Sequence, residues 1–182
     1  LTEVEGGVVS GSYAYLTTRN SFIVLDVSVP DTPHIVGSLW FPGSGWLGDI
    51  VISEGYAYLG GVPSRVIDVS DPRFPQEVAV MEGVRSKAGV QLDGSLLYVL
   101  GCAANQGCGV IVVDVSEPRE PRVVAVIQGF FQPNGMKLQG EYLYLTGYME
   151  ELGGSVFAIF DVSNPENPRT LGAVQIPIID EF

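Results

Sequence analysis

Apolar and polar positions alternate along this chain in short bursts. Val, Ile, Leu and Tyr fill brief runs, and Gly, Pro, Asp or Ser ends each one. Nowhere do apolar residues keep helical spacing over three turns, so the pattern predicts strands throughout. The second quarter of the chain is the plainest case. Leu47 to Ser53, Tyr56 to Gly60, Arg65 to Val69 and Glu77 to Met81 each read as a strand.

The bursts also repeat. Asp26-Val27-Ser28-Val29-Pro30-Asp31-Thr32-Pro33 recurs as Asp68-Val69-Ser70-Asp71-Pro72-Arg73-Phe74-Pro75, then as Asp114-Val115-Ser116-Glu117-Pro118-Arg119-Glu120-Pro121 and Asp161-Val162-Ser163-Asn164-Pro165-Glu166-Asn167-Pro168. The leading aspartates lie 42, 46 and 47 residues apart. A second motif precedes each copy: Gly11-Ser12-Tyr13-Ala14-Tyr15-Leu16, Gly55-Tyr56-Ala57-Tyr58-Leu59, Gly94-Ser95-Leu96-Leu97-Tyr98-Val99 and Gly140-Glu141-Tyr142-Leu143-Tyr144-Leu145. The chain is therefore four copies of one four-stranded unit, and a period in the forties with antiparallel strands is the signature of β-propeller blades. The expected blades are residues 1–42, 43–84, 85–130 and 131–176, forming a single all-β domain, with 177–182 as a tail or linker. Two arrangements fit: a four-bladed ring closed by packing alone, which the reading slightly prefers, or a piece of a larger propeller. The Asp-Val-Ser-x-Pro-x-x-Pro element falls at the turn between the third and fourth strands. There Asp and Ser bond nearby amides and proline stops ladder pairing, which is turn chemistry rather than a site repeated four times.

The Gly-x-Tyr-Ala-Tyr-Leu segment followed by Phe22-Ile23-Val24-Leu25-Asp26-Val27-Ser28, with Val110-Ile111-Val112-Val113-Asp114-Val115-Ser116 close behind, resembles the LVIVD repeat. That resemblance covers essentially the whole chain and implies a bacterial or archaeal β-propeller protein, often of the cell surface. It carries no catalytic motif. The chain departs from the pattern in the short third strand Ser64-Arg65-Val66-Ile67-Asp68 and in Leu97, which stands where the pattern has Ala.

Composition narrows the function. Nine Lys+Arg against 21 Asp+Glu give a net charge of −12, and Lys87 and Lys137 are the only lysines, which excludes a nucleic-acid binder. No apolar run approaches the roughly 20 residues of a membrane-spanning helix. The chain begins at Leu1 with neither a charged nor an apolar targeting region. Cys102 and Cys108 are its only cysteines, five residues intervening. A disulfide pinning a surface hairpin, and hence an extracytoplasmic location, is the leading reading; two free thiols or half of a metal site are the others, although His34 is the only histidine available to complete one.

Propeller geometry then sorts the loops. Connections from the fourth strand to the next blade share a face with those between the second and third strands. That face collects Trp40, Phe41, Trp46, Phe130 and Phe131, with Tyr148, Met149, Glu150 and Glu151, the cysteine loop, and Arg19, Arg85 and Lys87. Candidate binding residues are thus Trp40, Phe41, Trp46, Arg85, Phe130, Phe131 and Tyr148, since aromatics beside arginine suit an interaction surface. The opposing reading makes Trp40 and Trp46 plugs of the inter-blade core. Gly43-Ser44-Gly45-Trp46-Leu47-Gly48 matches a dinucleotide fingerprint by letters, but a strand follows it and no helix N-terminus is there to hold a pyrophosphate. His34 reads as a solvated strand residue. Asp49, Gln91 and Lys137 fall on innermost strands facing the channel.

The expected function is a non-catalytic interaction module that binds a protein or glycan partner through its aromatic face, with no cofactor, no metal and no membrane insertion. The alternative is a purely structural repeat of a larger cell-surface protein, with contacts to neighbouring domains or self-association. An enzyme, a hydrolase or lyase using channel carboxylates such as Asp49, is the third reading.

Overall fold

The computed structural model describes residues 3–43, 45–149 and 151–177, and within them all side chains except those of residues 87, 88, 131 and 132. The sequence predictions for the side chains of Lys87 and Phe131, for Ser44 and Glu150, and for the tail beyond 177 lie outside this described part.

Among the described residues, sixteen strands form four antiparallel sheets, each with its strands in sequence order. Blade 1 holds β1 (Val4–Ser10), β2 (Tyr13–Thr18), β3 (Ser21–Asp26) and β4 (His34–Trp40); blade 2 holds β5 (Trp46–Ser53), β6 (Tyr56–Val62), β7 (Ser64–Asp68) and β8 (Gln76–Met81). Blade 3 holds β9 (Val84–Asp93), β10 (Leu96–Ala103), β11 (Gly107–Asp114) and β12 (Arg122–Ile127), and blade 4 holds β13 (Phe130–Gln139), β14 (Tyr142–Met149), β15 (Gly154–Asp161) and β16 (Arg169–Gln175). The chain is a β-propeller module, and the strands read from blade 2's sequence agree with β5 to β8 to within two residues.

Register makes the blades equivalent. Tyr15 pairs with Val24, Tyr58 with Val66, Tyr98 with Val112 and Tyr144 with Ile159, in each case two residues before the repeated aspartate. Side chains alternate across a strand. The tyrosine row therefore marks one face of every blade, called here the back, and the Leu16, Leu59, Val99 and Leu145 row marks the front.

Three hydrophobic clusters fill three junctions. The back of blade 1 (Tyr15, Phe22, Val24) meets the front of blade 2 (Ala57, Leu59, Ile67). The back of blade 2 (Tyr58, Val66) meets the front of blade 3 (Leu97, Val99, Ile111, Val113), and the back of blade 3 (Tyr98, Leu100, Val112) meets the front of blade 4 (Leu143, Leu145, Ala158, Phe160). Burial raises the Tyr15, Tyr58 and Tyr98 phenols above their ordinary range.

Each junction also carries a polar strut near the axis. Thr17 Oγ1 donates to the Gly48 carbonyl at 2.6 Å. Asp49 Oδ2 accepts from the Val90 amide at 3.3 Å. The Gln91 amide nitrogen donates to the Met136 carbonyl at 2.8 Å while its oxygen accepts from the Leu138 amide at 2.7 Å.

The preferred expectation of a four-bladed ring closed by packing is not met. The close contacts run from blade 1 to 2, 2 to 3 and 3 to 4, and no comparable packing joins blade 4 to blade 1 among the described residues.

The turns between third and fourth strands are built as read. The Asp26, Asp68, Asp114 and Asp161 carboxylates accept from the Ser28, Ser70, Ser116 and Ser163 amides at 2.8, 3.0, 2.9 and 3.0 Å. The residue between donates its amide back to the neighbouring turn of its own blade, as Val69 does to the Gly55 carbonyl at 2.8 Å. These turns also lap onto the preceding blade. Arg119 lies 3.5 Å from Asp68, and a Cβ on Gly37 would sit 2.3 Å from the Pro72 carbonyl, so only glycine lets blade 2's turn settle against β4. His34 opens β4, exposed, its ring Nδ1 3.3 Å from the Thr32 carbonyl.

Replacing Gln91 with Met keeps the volume but removes both struts to β13. We expect a loss of about 2 kcal/mol, read from the urea midpoint, since two hydrogen bonds vanish and two backbone groups lose their partner. The repeated aspartates set a second expectation. The Ser163 hydroxyl and amide, with Arg169, hold Asp161 down to about 2, and the matching serines lower Asp26, Asp68 and Asp114. Groups with depressed native values contribute stability above their unfolded value and lose it as pH falls through the native one. Urea midpoints should stay level near neutrality and drop between pH 3.8 and about 2, with a shallower drop in Asp161→Asn.

Candidate binding face

The connections β2–β3, β4–β5, β6–β7, β8–β9, β10–β11, β12–β13 and β14–β15 all emerge on one side, and the structure sorts their aromatic residues into two sets. Phe41 is 8% exposed and Phe130 3%, both within junction clusters. Phe41 lies beneath the Arg65 guanidinium, 4.7 Å from its ring centre, and Arg65 is paired with Glu77. Phe130 sits 6.3 Å from Phe160. These two rings are packing. Trp46 is half-buried, with its indole nitrogen shut away from solvent, and its strand pairs with Val62.

Trp40 stands apart at 67% exposed. It is the residue after Leu39 in β4, and Leu39 faces Phe22 on the back of the blade. The register places Glu82, Gln128 and Gln175 at the corresponding position of blades 2, 3 and 4, and all three are exposed. Two of them hold a loop of their own blade: Gln128 donates to the Gln106 carbonyl at 2.5 Å and Gln175 to the Leu152 carbonyl at 3.2 Å. Blade 1 thus carries an indole where the other blades keep a polar rim.

Arg85 and Arg19 are exposed on the same side. Tyr148 is 40% exposed, in line with Tyr144 and Thr146 on the back of blade 4. Cys102 and Cys108, opposite each other across the β10–β11 hairpin, are joined as a disulfide. The adjoining loop is held further by the Ala104 amide, which donates to the Gly83 carbonyl at 2.9 Å. The face is therefore a set of short, fastened loops.

The channel side is less open to chemistry. Gln91 and Lys137, with Ile50, Val90 and Asp93, line a cleft of about 380 Å³. Yet Gln91 and Asp49 are both occupied by the neighbouring blade's backbone. Among the described residues no three His, Cys, Asp or Glu side chains gather as a metal site. Sequence reasoning assigned the aromatic loop residues to one side of the module but could not separate plugs from exposed rings. Strand register separates them, and so does the Gln–Trp substitution at the rim position. It also missed the Thr17, Asp49 and Gln91 struts, whose side chains share no common type.

Four-stranded blades in sequence order, packed back to front about a channel, define a β-propeller module. The LVIVD repeat matches residues 6–39, 44–81 and 88–127, and the chain belongs to that family. Blade 4 lies outside the matched spans and is recognised by its register. No curated protein sequence matches the chain. Among solved structures, the periplasmic gluconolactonase PpgL of Pseudomonas aeruginosa is similar at 14% identity and a TM-score of 0.74, over 96% of this chain and 55% of that one. Apo AztD of Citrobacter koseri is similar at 12% identity and a TM-score of 0.56, over 95% of this chain and 47% of that one. The chain spans about half the length of these propellers. At such identities the likeness is one of fold.

Phe130→Ala should lower stability by about 3–5 kcal/mol, the range for emptying an aromatic core position. Trp40→Ala should leave the thermal midpoint nearly unmoved. Thermal unfolding of the two variants side by side checks the division into plug and rim.

Proposed function

We propose that this module is a non-catalytic interaction domain that engages a protein partner through the loop face around Trp40, with Arg19 and Arg85 supplying charge on the same side. One observation carries the reading: a 67% exposed indole at a rim position where the other blades keep Glu82, Gln128 and Gln175. The fronts of blades 2 and 3 are covered by neighbours, yet Glu82 and Gln128 remain exposed, so exposure belongs to the position and not to a missing blade. A large exposed indole on a fastened scaffold costs solubility and little conformational entropy on binding, which is the profile of an interface anchor. Arg19 sits in the β2–β3 loop of blade 1 itself and Arg85 on β9 of blade 3, a spread that suits a protein surface better than a single sugar ring.

The likeness to a gluconolactonase lends an enzyme reading little support, since the channel's Asp49 and Gln91 side chains are engaged as struts. An extracytoplasmic setting is part of the proposal, supported by the Cys102–Cys108 disulfide.

The test is intrinsic tryptophan fluorescence during titration with a peptide library and, separately, an oligosaccharide panel. Acrylamide should quench one tryptophan strongly and the other weakly, and Trp40→Ala should remove the accessible component. A saturable shift with peptides that Trp40→Ala abolishes supports the proposal. A shift with oligosaccharides alone replaces the partner class. Silence with both, or a shift that survives Trp40→Ala, overturns the binding role and leaves the structural-repeat reading.

A further inference from the structure

The junction between blades 2 and 3 departs from the one before it where the outer turn lands. Blade 2 carries Ala79 opposite Val66, at the register where blade 1 carries Gly37 opposite Val24. A Cβ on Gly37 would lie 2.3 Å from the Pro72 carbonyl. Blade 3's turn has Pro118 in Pro72's place, and against Ala79 it cannot take the same seat. Two clefts border that turn. The smaller, about 350 Å³, runs along Ala79 and Arg119. The larger, about 680 Å³, opens between the back of blade 2 and the turns of blade 3, on the side away from Trp40.

Glu54 stands in the larger cleft, exposed, and no cation pairs with it among the described residues. Its backbone is left-handed, with φ 49°, at the first place of the β5–β6 turn. The other three blades put Gly11, Gly94 and Gly140 there, at φ 59°, 55° and 57°. Blade 2's own glycine is displaced one place onward, to Gly55. Only glycine takes this conformation freely, so the Glu54 side chain is kept against local preference, and strain of that kind clusters at functional positions.

Tyr58 lines the same cleft. It is 4% exposed, and its hydroxyl makes no hydrogen bond among the described residues. Burial above all, and then Tyr56 and Glu54 nearby, raises its phenol. Tyr56 is half-buried, and Val51 and Leu92 add aliphatic wall. No described lysine or arginine lines the cleft, and Arg119, next to Pro118, is engaged by Asp68 at 3.5 Å.

We propose that this cleft binds a primary alkylammonium ion, with the Glu54 carboxylate taking its charge, the Tyr58 hydroxyl accepting one N–H, and Tyr56, Val51 and Leu92 covering its carbon chain. An ammonium brings three donors and no acceptor, which matches two acceptors that the fold leaves unused. An anion would meet only Glu54 and a chain charged −12. The loop face around Trp40 takes no part, so the two proposals stand or fall separately.

The test is a titration of the isotope-labelled chain with pentylamine, in phosphate buffer free of other amines, followed by amide chemical shifts. Saturable shifts should gather at residues 51–58, 92–95 and 115–118. Pentanol, which keeps the carbon chain without the charge, should give none, and nor should pentanoate. Glu54→Gln should weaken binding about tenfold or more, the loss of one charge-assisted hydrogen bond, and Tyr58→Phe less. Glu54→Gly should abolish binding while raising the thermal midpoint, a pairing that a merely structural turn residue would not give. Acetyl-lysine amide that displaces pentylamine names a lysine side chain as the natural source, and failure to displace it names a free amine. No saturable shift with pentylamine overturns the proposal. Equal binding of pentanol, shifts that gather elsewhere, or affinity that survives Glu54→Gln overturns it too.

Discussion

A four-stranded sheet with apolar residues on both faces is stable only when each face meets another sheet, and this requirement organises everything else in the chain. Strand pairing within a blade is local and satisfies the backbone, but it leaves the tyrosine row on one side and the leucine row on the other facing water. Stacking back on front buries both. The burial is non-directional, however, and two apolar layers can slide. The struts from Thr17, Asp49 and Gln91 supply what hydrophobic contact lacks, a fixed height of one blade against the next near the axis. At the other end of the sheets, the lapping turns do the same from outside, with Arg119 reaching Asp68 and the Pro72 carbonyl resting over Gly37.

Because the junctions and the Asp-Val-Ser turns carry the architecture, the opposite loops are released from it. Each of those turns must accept an amide at its aspartate and donate one back to its own blade, so its sequence repeats four times. The loops on the other face need only reach from strand to strand. They differ in length, one is closed by a disulfide, and one ends in an exposed indole. Irregularity there is a consequence of where the structural constraints are satisfied, and it is on such loops that recognition has room to develop.

Most of the fold was legible because its signals are local. Period-two alternation, turn residues and a repeated motif all act over a few positions, and β5 to β8 sit where the residue types put them. Ring closure was not legible. The rotation from blade to blade is set by the summed thickness of side chains across a junction, and no single unit encodes it. The site was half legible for a related reason. Phe41 and Trp40 are adjacent and equally aromatic, yet one is buried beneath Arg65 and the other stands in solvent. Only strand register decides between them, and register becomes visible once Leu39 is seen to face Phe22. The struts were hidden because a threonine, an aspartate and a glutamine perform the same task from different strands.

That last observation bears on how polar residues near a propeller axis are read. Asp49 and Gln91 occupy innermost strands beside a cleft, the position from which a catalytic reading starts. A general acid or base must exchange protons with a substrate, whereas a carboxylate that bridges to the next blade is also serving as a structural acceptor. Gln91 already makes one bond as donor and one as acceptor to β13, and Asp49 accepts at both oxygens, from Val90 and from Ile50 at 2.9 Å. Releasing either would remove a polar tie between two blades that the hydrophobic junction alone would then hold. Asp49 and Gln91 are therefore held as struts in this chain, while at the rim of blade 1 an indole stands where the other blades carry Glu82, Gln128 and Gln175.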